Sequence, residues 1–334
     1  MPFFSIIIPV YNSGMTIVPL LESIKKQSYS DYEVIVVNDG SVDDSEKIVL
    51  SYQNQFANLK YVYQENSGVS ITRNRGLCHA TGKYILFADA DDFFECDAFE
   101  KLHTTILEDD SYLVCFDYYN YYNEQTKMVA LNLKNESLTL NTEKAILNFL
   151  NYCYINQFAS AVWNKVYKKE IIEKNNISFS KNLKIGEDLV FNIEYFCNVQ
   201  AITTIKDVLY NYYQSENSIM RSFRKGNVES IKAYVPELIT ILNKNHCENL
   251  KPYVYDFYIS NFWGVINNEL KNPSYREGKI NVKAYCKFLK KNCDIQYKKL
   301  TSFKVKMYYF LIVTKLWYII YKLKYVTLHK KGSN

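Results

Sequence analysis

Apolar residues fall along the first hundred positions in short dense runs that alternate with sets spaced for one face of a helix. Phe3 to Val10 is the first run and predicts a buried strand; Ile17, Leu20, Leu21 and Ile24 then recur at i, i+3, i+4 and i+7, the stripe of an amphipathic helix. Tyr32 to Val37 is a second strand-like run. After it, Ser41-Val42-Asp43-Asp44 offers an N-cap and an acidic first turn to a helix ending near Gln55. Leu59 to Tyr63 predicts a third strand, Gly68 to Ala80 a third helix, and Tyr84 to Phe87 a fourth strand. Such βαβαβαβ alternation specifies a mostly parallel α/β sheet with helices on both faces and right-handed crossovers.

Beyond Phe93 the pattern loosens. It predicts a helix over Asp97 to Leu107, a strand over Tyr112 to Tyr119, a further strand over Met128 to Leu133 and a helix over Thr142 to Tyr152. Ser160 to Tyr167 is extended, Glu170 to Lys174 a short helix, and Ile185-Gly186-Glu187-Asp188 opens a helix with Leu189, Ile193, Phe196 and Cys197 on its apolar face. Ile202 to Tyr213 completes the α/β part, expected to end at about residue 222. From 223 to 334 the sequence is helical in pattern, with no internal repeat or Pro/Gly linker.

Composition narrows the class. A chain of 334 residues, 48% hydrophobic and 22% charged, has ample material for a core and excludes disorder. The eight cysteines are scattered without a CxxC pair and mostly among apolar neighbours, which suggests reduced, buried thiols in a cytoplasmic protein; the four histidines are dispersed and propose no zinc site. Met1 to Ser5 lacks the basic and long apolar regions of a signal peptide. The net charge of +5 is uneven, because no Asp or Glu occurs from Ile295 to Asn334, a stretch with nine lysines.

The chemistry converges on one strand end. Tyr84-Ile85-Leu86-Phe87-Ala88 runs into Asp89-Ala90-Asp91-Asp92, so the acids emerge at the carboxyl edge of the sheet, where open α/β sheets bind ligands. Like charges this close call for a cation between them, and oxygen-only donors suit Mg²⁺ or Mn²⁺. An isolated DxDD equally suits a solvated turn. The first two loops bring Asn12 and Asp39 to the same edge, and the third helix carries Arg73, Asn74 and Arg75 in its early turns. Dinucleotide binding fits less well, since the first turn has only Gly14 and no GxGxxG.

Taken in order, SIIIPVYN at Ser5 to Asn12, VNDGSVDDS at Val37 to Ser45, ENSGVSITRNRGL at Glu65 to Leu77, ATGKYILFADADD at Ala80 to Asp92, WNKVYKKEII at Trp163 to Ile172 and GEDLVFN at Gly186 to Asn192 resemble the family 2 glycosyltransferases. The resemblance implies the Rossmann-like GT-A fold of nucleotide-diphospho-sugar transferases over residues 3 to 222, with a nucleotide-binding half (1–100) and an acceptor half (101–222). It implies that Asp39 holds the base, normally uracil, with Pro9, Tyr11 and Asn12 lining its pocket and Arg73 near the base or diphosphate. Asp89 and Ala90 would meet the donor, Asp89 binding ribose or supporting the metal, and Asp91 would coordinate a divalent Mn or Mg ion. Asp188 would be the general base of an inverting transfer, with Glu187 supporting it. At a helix N-terminus that base is expected to be ionised and weak. Ser218 and Arg221 would close over the diphosphate, and Asp92 would be a helix-capping neighbour. The QxxRW pattern of processive synthases is absent, so one sugar per acceptor is expected.

The expected reaction moves a sugar from a UDP-sugar to a glycan acceptor, lipid-linked through polyprenyl diphosphate, in capsule or exopolysaccharide synthesis. Met307 to Tyr321 is too short to span a bilayer, and Lys315 interrupts it. As a helix it would place Lys304, Lys315 and Lys322 on one stripe beside Phe310, Leu316, Trp317 and Ile320, and lie in the inner face of the plasma membrane, held by Trp and Tyr. The alternatives are a core-docked helix or a dimer contact; nucleic acid is not expected of so apolar a tail. Two other functions stay open: a DxD phosphotransferase, although that class carries its DxD on the first strand, and a non-catalytic glycan-binding scaffold.

Overall fold

The computed structural model describes residues 1–56, 58–123, 125–139, 161–183, 185–214, 223, 225–245, 251–292 and 303–330. The chain divides into two compact units, Met1–Ser215 and Glu216–Asn334. The helix expected over Thr142 to Tyr152 lies outside the described residues, as do Ser218 and Arg221.

The first unit opens with β1 (Phe4–Val10), α1 (Ile17–Lys25), β2 (Tyr32–Asp39), α2 (Ser45–Gln53), β3 (Leu59–Gln64), α3 (Val69–His79) and β4 (Tyr84–Phe87). It continues with β5 (Phe93–Phe94), α4 (Ala98–Asp109), β6 (Leu113–Asn123), β7 (Thr126–Val129), β8 (Glu136–Thr139), β9 (Lys165–Lys168), α5 (Lys169–Lys174), α6 (Glu187–Phe196) and β10 (Ala201–Tyr213). The strands form one sheet in the order β3-β2-β1-β4-β9-β6-β10-β5, with β7 on β6 and β8 on β10. The β3, β2, β1 and β4 neighbours are parallel, as are β6 and β10; β9 runs antiparallel between β4 and β6. The parallel block explains the unbroken apolar runs: Ile6, Ile7, Ile8, Val34 to Val37 and Ile85 to Phe87 are buried from both faces. On α1, Ile17, Leu20, Leu21 and Ile24 are the buried set, as the spacing predicts.

Local readings change in three places. Ser41 does not cap α2; its hydroxyl accepts the Asn12 N–H, and the N-cap position belongs to Asp44. The apolar face predicted for α6 is too narrow, because every residue from Leu189 to Phe196 is buried, and a helix covered on all sides shows no period. Of the five cysteines described, Cys115 and Cys286 are buried but Cys78 and Cys96 are exposed.

At the amino-terminal end of the strands, Glu33 is enclosed by Lys60 (2.6 Å), the Ser5 hydroxyl (2.7 Å) and the N–H and hydroxyl of Thr81 (2.6 and 2.7 Å). Burial alone would raise its pKa, but these hydrogen bonds pull it down to about 2.

The second unit contains α7 (Asn227–Lys244), α8 (Lys251–Leu270), α9 (Tyr275–Asn292), α10 (Phe303–Thr314) and α11 (Trp317–Lys330). The others all pack on α8, which buries Tyr258, Ile259, Phe262, Val265 and Ile266. The tail expected as one helix is two, because Lys315 adopts a left-handed φ of 63°. Trp317 is only 5% exposed and so turns into the unit rather than outward.

Candidate active site

Parallel pairing carries the ends of β1, β2 and β4 to one edge of the sheet. The loop after β1 is stitched to the loop after β2: Asn12 Oδ1 accepts the Val42 N–H (2.9 Å), Ser45 Oγ accepts the Ser13 N–H (2.8 Å) and Asp43 accepts the Gly14 N–H (2.9 Å). Tyr11 stands half-exposed at the rim of this platform, and Pro9 is partly buried beneath it.

Asp39, at the end of β2, is buried. Its Oδ1 accepts from Gln64 (2.7 Å) and the Ser67 N–H (2.8 Å), and its Oδ2 accepts from the Gly68 N–H (2.9 Å). These bonds satisfy amides at the start of α3 and leave Oδ2 with room for one more donor.

On α3, Arg73 is 3% exposed and pairs with three carboxylates. Its Nη2 lies 3.0 Å from Asp89, and its Nη1 lies 2.6 Å from Asp188 and 3.4 Å from Glu187. Their charges keep the guanidinium protonated against its burial. The approach of α3 to the sheet requires Gly76, where a Cβ would overlap the side chain of Ile7. Asn74 clamps the segment that leads to α6, donating to the Phe179 carbonyl (2.7 Å) and accepting its N–H (2.8 Å). The Phe179 ring stacks on Phe191 of α6 with centroids 4.2 Å apart, and the Arg73 guanidinium lies 5.4 Å from the Phe179 centroid. Gly186, with φ of 86°, turns the chain into α6, so that Glu187 and Asp188 fall in its first turn.

Electrostatics separate the acids. Burial pushes Asp188 up to about 7; Arg73 opposes this, while Glu187 and Asp89 add to it. The weak, fully ionised base expected from the helix dipole is therefore corrected, because desolvation and two neighbouring carboxylates outweigh the dipole. Asp91 sits on an exposed turn, and its carboxyl is raised above the usual range by the surrounding protein and by Asp89. Asp92 is wholly buried and is not a helix cap, the N-cap of α4 being Asp97. It accepts the Tyr213 N–H (2.8 Å), tying the acidic loop to β10, and burial followed by the charges of Asp89 and Asp91 raises its pKa well above the usual value. The Tyr210 hydroxyl makes a second tie by accepting the Asp89 N–H (3.0 Å). Ala90 is buried between the half-buried Asp89 and the exposed Asp91.

The positions that sequence patterns did not single out are Asn74 as a clamp, Tyr210 as an anchor and Lys165. Lys165 is fully buried, donates to the Ala161 carbonyl and Asn164 Oδ1 (both 2.7 Å), and helps hold Asp188 down. A lysine inside the run WNKVY, otherwise apolar enough for a strand, was the available signal.

Comparison with known proteins gives the class of the chain that carries this strand-end constellation. The family model described as "Glycosyl transferase family 2" matches residues 5–174. An uncharacterized glycosyltransferase of Escherichia coli, YibD, is 31% identical over 260 residues, spanning 75% of this chain and 73% of its own. The cholesterol galactosyltransferase of Borreliella burgdorferi is 29% identical over 302 residues, spanning 83% and 81%. Among solved structures, Staphylococcus aureus TarS 1-349 in complex with UDP superposes with a TM-score of 0.70 at 21% identity, covering 94% of this chain and 87% of its own. The chain belongs to glycosyltransferase family 2. It is a glycosyltransferase with a GT-A fold.

Proposed function

We propose that the enzyme is an inverting, cation-dependent transferase that moves a hexosyl or N-acetylhexosaminyl group from a UDP-sugar to a glycan acceptor in cell-surface polysaccharide synthesis. The acceptor is lipid-linked, and the enzyme works at the inner face of the plasma membrane. The observation that carries this reading is the pairing of one arginine with Asp89 on the donor-side strand end and with Asp188 and Glu187 on α6.

In this reading the platform of Pro9, Tyr11 and Asn12 receives the nucleotide base, and the open side of Asp39 Oδ2 accepts a base N–H. Asp188, with a pKa near neutrality, takes the proton from the acceptor hydroxyl as it attacks. Glu187 positions that hydroxyl. Arg73 holds both acids in place and is itself too enclosed to serve chiefly as a diphosphate contact. The donor set suits Mg²⁺ or Mn²⁺: among the described residues no cluster of three ligands exists, and two carboxylates completed by diphosphate oxygens are how such ions bind. Asp91 and Asp89 would hold the ion, which would neutralise the charge developing on the departing nucleoside diphosphate. Ser218 and Arg221 are kept as proposed diphosphate contacts on sequence grounds.

The donor is tested by thermal-shift measurements across UDP-, ADP- and GDP-sugars with and without Mn²⁺, followed by assay of UDP release on acceptor addition. Stabilisation by a UDP-sugar that Mn²⁺ enhances and Asp91→Ala removes supports the reading; stabilisation only by an ADP- or GDP-sugar overturns it. Likeness to the cholesterol galactosyltransferase, which extends over most of both chains, favours a second acceptor class, a sterol hydroxyl, testable in the same release assay.

A further inference from the structure

We propose that the outward face of α10 and α11 is a docking surface for an anionic lipid leaflet, inserted through two apolar stripes that the bend at Lys315 sets side by side in sequence. This rests on the membrane-facing part of the reading above and supplies its partner and its residues. The inward sides of both helices are already used. Val305, Tyr308 and Ile312 of α10 are buried, with Tyr308 stacked on Trp263 of α8. Trp317 and Tyr321 of α11 are buried, and the Tyr321 hydroxyl donates to the Glu269 carbonyl (3.0 Å). The large apolar side chains that remain outside on α10 are Phe303 (85% exposed), Met307, Phe310 (53%) and Val313, at steps of four, three and three. Leu316, Ile319, Leu323 (64%) and Val326 continue the pattern through α11. These are helix-face spacings, and the exposed Thr314, Lys315, Lys322, Lys324 and Thr327 lie among them, so apolar and cationic side chains share one surface.

Charge selects the occupant. Lys304, Lys315 and Lys322 are exposed beside the stripes, and neither helix contains an Asp or Glu. A second copy of the chain docking face to face would oppose lysines with lysines and supply no acid to pair them. A leaflet rich in anionic headgroups supplies both the apolar interior and the counter-charge. The interfacial set therefore differs from the one that a single tail helix would present: Trp317 is inside, and Phe303, Met307, Ile319 and Leu323 take the contact. No helix among the described residues is long and apolar enough to cross a membrane, so the contact is with one leaflet.

The test uses the full chain and sedimentation with vesicles of phosphatidylcholine alone or with about a third phosphatidylglycerol. Expected is binding to the anionic vesicles that weakens with salt, and a fall of about tenfold or more in partitioning for Phe310→Asp with Leu323→Asp and, separately, for Lys315→Glu with Lys322→Glu. All four side chains are exposed or at the rim, so circular dichroism and melting should stay as in the parent. Equal binding to neutral vesicles, or binding indifferent to both pairs of substitutions, overturns the proposal. So does absence of vesicle binding together with a dimer in sedimentation velocity that the apolar pair of substitutions dissolves. UDP release with a water-soluble acceptor is measured in parallel. It reports on the transfer reading alone, so either idea can fail while the other stands.

Discussion

At the scale of single residues, carboxyl groups in the same fold are set to different protonation by their surroundings. Asp188 is raised by burial to about 7, so it is protonated below that pH and ionised, as the proposed base must be, above it. Transfer rates should therefore climb through about pH 7 and level off, and Asp188→Asn should lower kcat by about 10²- to 10⁴-fold and flatten the profile. Asp92 is wholly buried, and burial with the charges of Asp89 and Asp91 raises its pKa well above the usual value, whereas Asp91 stands at the exposed turn. Asp92→Asn should accordingly keep most activity while Asp91→Asn loses its response to Mn²⁺, read from titrations of UDP release against metal. Glu33 has the opposite sign. Its folded pKa of about 2 lies below the unfolded value, so its stabilisation is present above about pH 4.3 and is lost as pH falls towards 2. Glu33→Gln should cost about 3 kcal/mol at pH 7 in urea unfolding, and the gap to the parent should close in acid.

At the scale of elements, the proposed base is held in place by α3, a helix that follows the parallel strands. Two hydrogen bonds from Asn74 fix the backbone of Phe179, whose ring stacks on Phe191 of α6 and so fixes the turn that carries Asp188. Asn74→Ala should lower kcat by about tenfold to a hundredfold with little change in UDP affinity, because only the acceptor side loses its support; a matching loss of UDP binding in calorimetry would contradict this. The elements themselves were largely legible. Parallel strands buried on both faces leave apolar runs such as IIIPV and VIVV, and α1 wears its period openly. α6 hid its burial because a helix covered all round has no stripe, and the break at Lys315 carried no signal, since no Gly or Pro marks it.

Across the whole molecule, order along the chain showed that Asn12, Asp39 and Asp89 would reach one sheet edge, because parallel strands end together. It did not reveal which side chains would meet there. Arg73 and Asp188 are separated by 115 positions, and only the fold shows that one guanidinium joins them. Lys165 was hidden in the same way, its charge lowering the pKa of Asp188 from inside a run that otherwise suits a strand. At this scale UDP with Mn²⁺ should stabilise the fold through binding linkage, by about 2.7 kcal/mol at a hundredfold excess over Kd, read as a rise in melting temperature, and Asp91→Ala should remove the part due to the metal.

The shared guanidinium also bears on how such enzymes can be recombined. Grafting a relative's counterpart of residues 101–222 onto residues 1–100 of this chain would bring a foreign GED turn and a foreign partner for Asn74 against an unchanged α3. A working chimera would have to move the Arg73–Asn74 face of α3 together with the 177–188 segment, so the practical unit of exchange is not contiguous in the sequence.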